Sequence, residues 1–124
     1  MKDGKHVVLC IDDDPDVLVV LRTILESAGY AMAEAPSAEE GLAVFKQEQP
    51  DLVIVDLMME EVDAGKTLVQ EIKALQGEVP IYMLSSVGDS LSQHVDFQEL
   101  GLLGVFQKPI DPETLLATIK AKLN

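Results

Sequence analysis

The sequence predicts an α/β fold in which an open, doubly wound parallel sheet carries helices on both faces. Five short apolar runs each precede a segment whose apolar residues recur at helical spacing, the pattern typical of βα units. The run Leu52–Val55 shows no alternation, as expected for a strand covered by helices on both faces. A barrel of eight such units needs roughly 250 residues. The chain has 124 residues, so we expect the sheet to stay open.

The first half of the chain is divided by recognisable helix caps. Asp14 followed by Pro15 indicates an N-cap with proline at the first helical position, and Gly29 ends that helix. Ser37 with Glu40 three residues later forms the sequence pattern of a capping box. The predicted strands in this half are Val7–Ile11, Tyr30–Ala35 and Leu52–Val55, with Asp56 at the end of the third.

The second half contains two further strands. A helix is predicted over about Gly65–Leu75, followed by a strand at Ile81–Leu84 that ends in Ser85-Ser86. A weaker apolar stripe predicts a fourth helix over roughly Ser90–Leu100. Val105–Gln107 is predicted to be a short strand at the edge of the sheet. Asp111-Pro112 caps the last helix.

Composition limits the classes of function. Twenty-two acids against nine bases give a net charge of −13, which disfavours direct contact with nucleic acid phosphates. Cys10 is the single cysteine and lies in an apolar run, so a buried, unreactive thiol is expected. No apolar run has the length of a membrane span, and the N-terminus shows no signal-peptide pattern. We expect one cytoplasmic domain over residues 1–124, with no effector domain and no membrane contact.

Polar side chains follow four of the predicted strands. Asp12 and Asp13 follow the first, Asp56 the third, Ser85 the fourth and Lys108 the fifth. The carboxyl ends of parallel strands meet at one edge of the sheet, where such folds bind ligands. Three carboxylates brought together repel one another, and a hard divalent cation such as Mg²⁺ relieves this. A hydroxyl and an ammonium beside the ion suit a phosphoryl group, so the set predicts phosphoryl transfer onto a carboxylate.

Each residue of this set also has a purely structural interpretation. An acid at the start of a helix is commonly a cap, a serine after a strand is commonly part of a turn, and a single lysine is usually a surface charge. The functional interpretation depends on their joint position at strand ends in separate βα units.

The chain resembles the receiver domain of two-component response regulators. The resemblance extends from Val7 to Leu123 and depends on four features in order: the acidic pair after strand one, Asp56 after an apolar strand three, Ser85 after strand four, and Lys108-Pro109 after strand five. It implies a flavodoxin-like sheet with strand order 2-1-3-4-5.

The resemblance also implies a role for each residue. Asp56 would accept the phosphoryl group from a phosphohistidine of a sensor histidine kinase or phosphotransfer protein. Asp13 would bind Mg²⁺ directly and Asp12 mostly through water, with the backbone carbonyl of Met58 as a further ligand and Mn²⁺ as an expected substitute. Ser85 and Lys108 would contact phosphoryl oxygens, and the Lys108–Pro109 peptide bond would be cis.

Further implications concern partners. Phosphorylation would change the surface of the domain and so regulate a downstream target or effector domain. By analogy with other receivers, a homodimer would use the fourth helix, fifth strand and fifth helix. Receivers catalyse their own phosphorylation and dephosphorylation and are not turnover enzymes.

The sequence departs from the usual receiver pattern on strand five and in the loop after Asp56, among other positions. Val105 stands where receivers commonly carry an aromatic residue, and strand alternation predicts that Phe106 faces the other way. After Asp56, Glu60 and Ala64 occupy the positions of a common proline and glycine.

Three alternatives follow from the same residues. A haloacid dehalogenase-type phosphohydrolase would use Asp12 as nucleophile and Asp14 as general acid, but it would leave Asp56 without a role. A flavodoxin-like FMN binder would need hydroxyls where the first loop has carboxylates. A phosphorylation-independent pseudo-receiver would share the fold and serve only for binding.

Overall fold

Five parallel strands form one sheet in the computed structural model, which describes residues 4–56, 62–76, 78–86 and 102–123. The strands are β1 Val7–Ile11, β2 Ala31–Ala35, β3 Leu52–Asp56, β4 Ile81–Ser86 and β5 Gly104–Lys108. The helices are α1 Pro15–Ser27, α2 Ala38–Glu48, α3 Val62–Leu75 and α4 Pro112–Leu123. The sheet order is β2-β1-β3-β4-β5, and every pairing is parallel. The predicted open sheet and its strand order are confirmed.

Helices cover both faces of the sheet because successive residues of each buried strand point to opposite sides. Leu9, Val53 and Met83 belong to the core beneath α2 and α3, which also contains the apolar side chains of those helices. Cys10, Ile54 and their neighbours belong to a second core, beneath α1 and α4. β1 and β3 are buried along their whole length, in agreement with their uninterrupted apolar runs.

The predicted caps of the first two helices are confirmed. Asp14 has an extended backbone, and its side chain accepts a hydrogen bond from the backbone N–H of Asp16, with proline at the start of α1. Ser37 accepts a hydrogen bond from the N–H of Glu40 at the start of α2. Gly29, just after α1, has a φ of +89°, a conformation that glycine adopts without steric cost.

Several predicted boundaries were wrong by a few residues. Tyr30 does not belong to β2, because its N–H donates to the carbonyl of Leu25 and completes the end of α1. α3 begins at Val62 rather than near Gly65. β4 extends to Ser86, and β5 is longer by one residue at each end. The fourth predicted helix, over 90–100, lies outside the described residues, so α4 corresponds to the last predicted helix.

No helix in the described part of the chain combines the length and the apolar composition that crossing a lipid bilayer would require.

Candidate functional site

The carboxyl end of β1 places two acids in different environments. Asp12 is fully buried, whereas Asp13 is exposed. The N–H of Asp12 donates to the carbonyl of Ala35 at the end of β2, which holds the backbone of Asp12 against the sheet. Asp12 Oδ1 accepts a hydrogen bond of 2.9 Å from the N–H of Asp14. The local hydrogen bonds therefore engage one oxygen of the Asp12 carboxylate and leave the other to face the site.

The end of β3 brings Asp56 to the same edge. Its side chain is nearly buried, and one carboxylate oxygen from each of Asp12, Asp13 and Asp56 lies within 4.8 Å of the other two. This is the juxtaposition expected from three acids at the carboxyl ends of adjacent parallel strands, since β1 and β3 are neighbours in the sheet.

Lys108, at the end of β5, supplies a positive charge to this acidic cluster. Its Nζ donates a hydrogen bond of 3.0 Å to Asp56 Oδ2 and lies 2.9 Å from Asp12 Oδ2. Among the described residues, Lys108 is the partner of the buried Asp12 Oδ2, through this ion pair. The peptide bond between Lys108 and Pro109 is cis, as the resemblance implied.

Ser85 lies on β4, between the strands that carry Asp56 and Lys108. Asp56 pairs in register with Leu84, so Ser85 is the next residue along β4, and it is buried. Ser86 pairs in register with Lys108 at the end of β5. All five predicted side-chain positions thus lie at the carboxyl edge of the sheet. Met58, the predicted backbone ligand, and Glu60 in the loop after Asp56 lie outside the described residues.

The electrostatics of the site follow from burial and from the excess of acids. Burial raises the pKa of the Asp12 carboxyl, and this effect outweighs the opposing hydrogen bond from Asp14 and the charge of Lys108. Burial acts to lower the pKa of Lys108, but the two carboxylates outweigh it, so that pKa is raised and the ammonium form is favoured. The site therefore disfavours the charge of Asp12 and favours additional positive charge.

A hard divalent cation fits this set of residues. Its preferred ligands are carboxylate and other oxygens, which Asp12, Asp13 and Asp56 offer within a single small volume. Among the described residues, the ion pair with Lys108 compensates the buried Asp12 Oδ2, and a divalent cation would add to that compensation.

The residues next to the site on β5 point to opposite faces of the sheet. Phe106 is buried in the core beneath α1 and α4, with its ring centroid 5.2 Å from that of Tyr82. Val105 packs against the core beneath α2 and α3. The prediction that Phe106 faces away from the side of Val105 is confirmed, so Phe106 does not supply the missing aromatic at position 105.

One contribution to the site was missed in the sequence. Asp14 was predicted as a helix cap and, in the phosphohydrolase alternative, as a general acid, but its backbone N–H also donates a hydrogen bond to Asp12 Oδ1. The Asp-x-Asp spacing of residues 12 and 14 carries that signal, because an aspartate commonly accepts a hydrogen bond from the N–H two residues later.

Comparisons with known proteins agree with this geometry. The chain is 40% identical over 121 residues to the probable transcriptional regulator ycf27 of Guillardia theta, covering 98% of this chain and 46% of that protein. The chain spans about half the length of the curated relatives it matches.

Two solved structures are similar to the whole fold. The chemotaxis protein CheY4 of Vibrio cholerae has a TM-score of 0.85 and 28% identity, covering 97% of this chain and 100% of that chain. A putative response regulator from Chloroflexus aurantiacus also has a TM-score of 0.85, with 33% identity, covering 97% of this chain and 98% of that chain.

A family model described as the response regulator receiver domain matches residues 8–120, which favours the receiver interpretation over the phosphohydrolase alternative. Receiver domains act in two-component phosphorelay signalling, as signalling modules rather than turnover enzymes, and they bind Mg²⁺ at an acidic pocket. With nearly its whole length covered by that match, the chain belongs to the family of response regulator receiver domains.

Proposed function

We propose that Asp56 accepts a phosphoryl group from a phosphohistidine of a sensor histidine kinase or phosphotransfer protein, in a reaction that requires Mg²⁺. The observation that carries the proposal is the arrangement around Asp56. Its carboxylate is nearly buried, lies with Asp12 and Asp13 in one acidic cluster, and accepts a hydrogen bond from Lys108 Nζ.

In the proposed reaction, a carboxylate oxygen of Asp56 attacks phosphorus and forms an acyl phosphate. The phosphorus–nitrogen bond of the donor breaks, and its electron pair passes to the imidazole nitrogen. Mg²⁺ would be held by Asp12, Asp13, Asp56 and the backbone carbonyl of Met58. When bound, the ion would neutralise charge on the transferring group. Mn²⁺ is expected to substitute for Mg²⁺.

The other residues of the site act on the transferred group. Lys108 already contacts Asp56 Oδ2, so its ammonium is positioned to pair with a phosphoryl oxygen once that carboxylate is phosphorylated. The Ser85 hydroxyl, on the neighbouring strand, would donate a hydrogen bond to another oxygen. Positioning and charge neutralisation of this kind account for most of the catalysis in phosphoryl transfer. The same groups would assist the later attack of water on the acyl phosphate.

We also propose that the domain acts through protein partners. Phosphorylation of Asp56 would change the surface of the domain and thereby regulate a protein target or an effector domain. A homodimer is proposed through the face that includes β5 and α4, while the helix predicted next to them over 90–100 lies outside the described residues. The net charge of −13 supports protein partners rather than direct contact with nucleic acid.

Incubation with Mg²⁺ and either acetyl phosphate or phosphoramidate, followed by intact mass measurement, tests the proposed function. We expect a gain of one phosphoryl group, about 80 Da, that requires Mg²⁺ and is absent in Asp56→Asn. Asp51→Asn is the matched control, because Asp51 precedes the same strand at its opposite end and accepts a hydrogen bond from the N–H of Val7. No gain in the wild type with Mg²⁺ present would favour the pseudo-receiver.

A further inference from the structure

Two successive side-chain-to-backbone hydrogen bonds hold the loop between β1 and α1. The N–H of Asp14 donates to Asp12 Oδ1 at 2.9 Å, and the N–H of Asp16 donates to Asp14 Oδ1, also at 2.9 Å. Each is a turn closed by an aspartate two residues earlier. Asp14 is therefore the N-cap of α1 and, through its own backbone, the residue that binds Asp12.

The first of these hydrogen bonds decides which oxygen of Asp12 is available. Oδ1 is engaged by Asp14, whereas Oδ2 is buried and pairs with Lys108 Nζ at 2.9 Å. A carboxylate held through one oxygen cannot rotate freely. The orientation that presents Oδ2 to the site therefore depends on where the N–H of residue 14 points.

The second hydrogen bond fixes the direction of that N–H. The Asp14 side chain ties residue 14 to the first turn of α1, and the Asp14 carbonyl also accepts a hydrogen bond from the N–H of Leu18. Without the side-chain acceptor, the residue before Pro15 loses one of the two contacts that hold it to the helix.

We propose that Asp14 is a positioning residue for cation binding: its cap on α1 holds the N–H that orients Asp12, so that Asp12 Oδ2 faces the site where Mg²⁺ binds. The inference rests on the proposed function for the identity of the ion. The alternative is that Asp14 only stabilises the start of α1. In that case its loss lowers stability and leaves Mg²⁺ affinity unchanged.

Calorimetric titration of Mg²⁺ into wild type, Asp14→Asn and Asp14→Ala separates these two roles. Asparagine retains a side-chain oxygen for capping but removes the charge, so any difference between the two variants reports the acceptor and not the charge. We expect Asp14→Ala to bind Mg²⁺ up to about five-fold more weakly than Asp14→Asn, the limit reached if the whole free energy of a typical N-cap acts on the orientation of Asp12. Asp16→Ala, which removes an exposed acid two residues later, is expected to stay within about two-fold of the wild type.

Amide hydrogen exchange without Mg²⁺ gives a second readout, which reports the hydrogen bond from the residue 14 N–H to Asp12 Oδ1. The residue 14 N–H is expected to be protected in the wild type and in Asp14→Asn, and to exchange faster in Asp14→Ala. If Asp14→Ala does not fold, Asp14→Gly replaces it, because glycine lacks the acceptor and costs a helix start less than alanine does.

Equal Mg²⁺ affinities for the alanine or glycine variant and for Asp14→Asn would overturn the proposal, and so would absence of Mg²⁺ binding in the wild type. Failure of the proposed function is a separate result. In that case the wild type binds Mg²⁺ and the Asp14 variants differ as expected, but no phosphoryl group is gained from acetyl phosphate.

Discussion

Lys108 Nζ donates a hydrogen bond to Asp56 Oδ2 across 52 residues of sequence, at a distance of 3.0 Å. The lysine lies on β5 and the aspartate on β3, with β4 between them in the sheet. The same ammonium lies 2.9 Å from Asp12 Oδ2. The Lys108 ammonium therefore opposes the charges of two acids, Asp56 at the end of β3 and Asp12 immediately after β1.

Lys108→Met should destabilise the metal-free protein. The substitution leaves two buried carboxylates without their cation, and we expect the free energy of unfolding to fall by about 1 to 3 kcal/mol, less than for a fully buried pair because Lys108 is partly exposed. Urea denaturation at pH 7 in the presence of a chelator measures this decrease in the free energy of unfolding. Lys120→Met, on the exposed side of α4, is the control and should change stability by less than about 0.5 kcal/mol.

The effect of Lys108→Met should also depend on pH. The folded-state pKa of Lys108 is raised, so its contribution to stability is complete below the unfolded lysine pKa of about 10.4 and is lost as the pH rises through the folded value. If Lys108→Met lost no more stability at pH 7 than Lys120→Met does, this account of Lys108 would be contradicted.

Mg²⁺ should stabilise the wild type, and Asp13→Asn should remove most of that stabilisation. Binding to the folded state alone contributes about 2.7 kcal/mol when the ion is present at a hundred times its Kd. Asp13 is the exposed acid of the cluster, so its replacement should cost little folding energy and, by relieving repulsion, should leave the metal-free protein slightly more stable.

Urea denaturation with and without Mg²⁺ measures the stabilisation, and Glu71→Gln, an exposed acid on α3, is the control that should retain it. Equal stabilisation of Asp13→Asn and the wild type would exclude Asp13 as a ligand.

The stability of the wild type should decline at alkaline pH because of Cys10. Burial raises the pKa of this thiol far above its usual value. The unfolded chain ionises it first, and stability therefore falls as the pH rises above the unfolded pKa of about 8.5. The expected slope approaches about 1.4 kcal/mol per pH unit between roughly pH 9 and 10.

The difference between wild type and Cys10→Ala isolates this slope, because other titrating groups cancel. Cys10→Ala should be less stable than the wild type at pH 7. The difference between their free energies of unfolding should decrease steadily from pH 8.5 upward. A gap that stays constant to pH 10 would mean that Cys10 ionises equally in both states.

Gly41→Ala should destabilise the protein although alanine favours helices. A Cβ at position 41 of α2 would lie 2.7 Å from Cδ1 of Ile11, and Ile11 is fully buried immediately before Asp12. Overpacking of this kind costs about 1 to 3 kcal/mol, more than the roughly 1 kcal/mol gained in helix propensity.

A double-mutant cycle with Ile11→Val tests the contact directly, since valine lacks the Cδ1 methyl. We expect Gly41→Ala to be less harmful in the Ile11→Val background, with a coupling energy of at least about 0.5 kcal/mol. Additive effects of the two substitutions would show that the Ile11 side chain is not the obstacle.

The sequence by itself determined the order of elements, the positions of the site residues along the chain and the caps of the first two helices. These depend on short-range patterns: uninterrupted apolar runs for β1 and β3, and Asp14-Pro15 at a helix start. Several predicted boundaries were wrong by a few residues, because contacts with other parts of the chain compete with local preference. Tyr30 was predicted in β2, yet its N–H completes the end of α1.

Only the tertiary structure decided how the site residues differ from one another. Asp12 and Asp13 are adjacent in sequence, yet one is buried and the other exposed. Lys108 contacts Asp56 and Asp12 because the strand order brings the ends of β5, β3 and β1 to one edge of the sheet. The hydrogen bond from the Asp14 N–H engages the Asp12 oxygen that does not contact Lys108. Burial and hydrogen-bond direction arise from packing between distant segments, so residue types and spacing alone do not specify them.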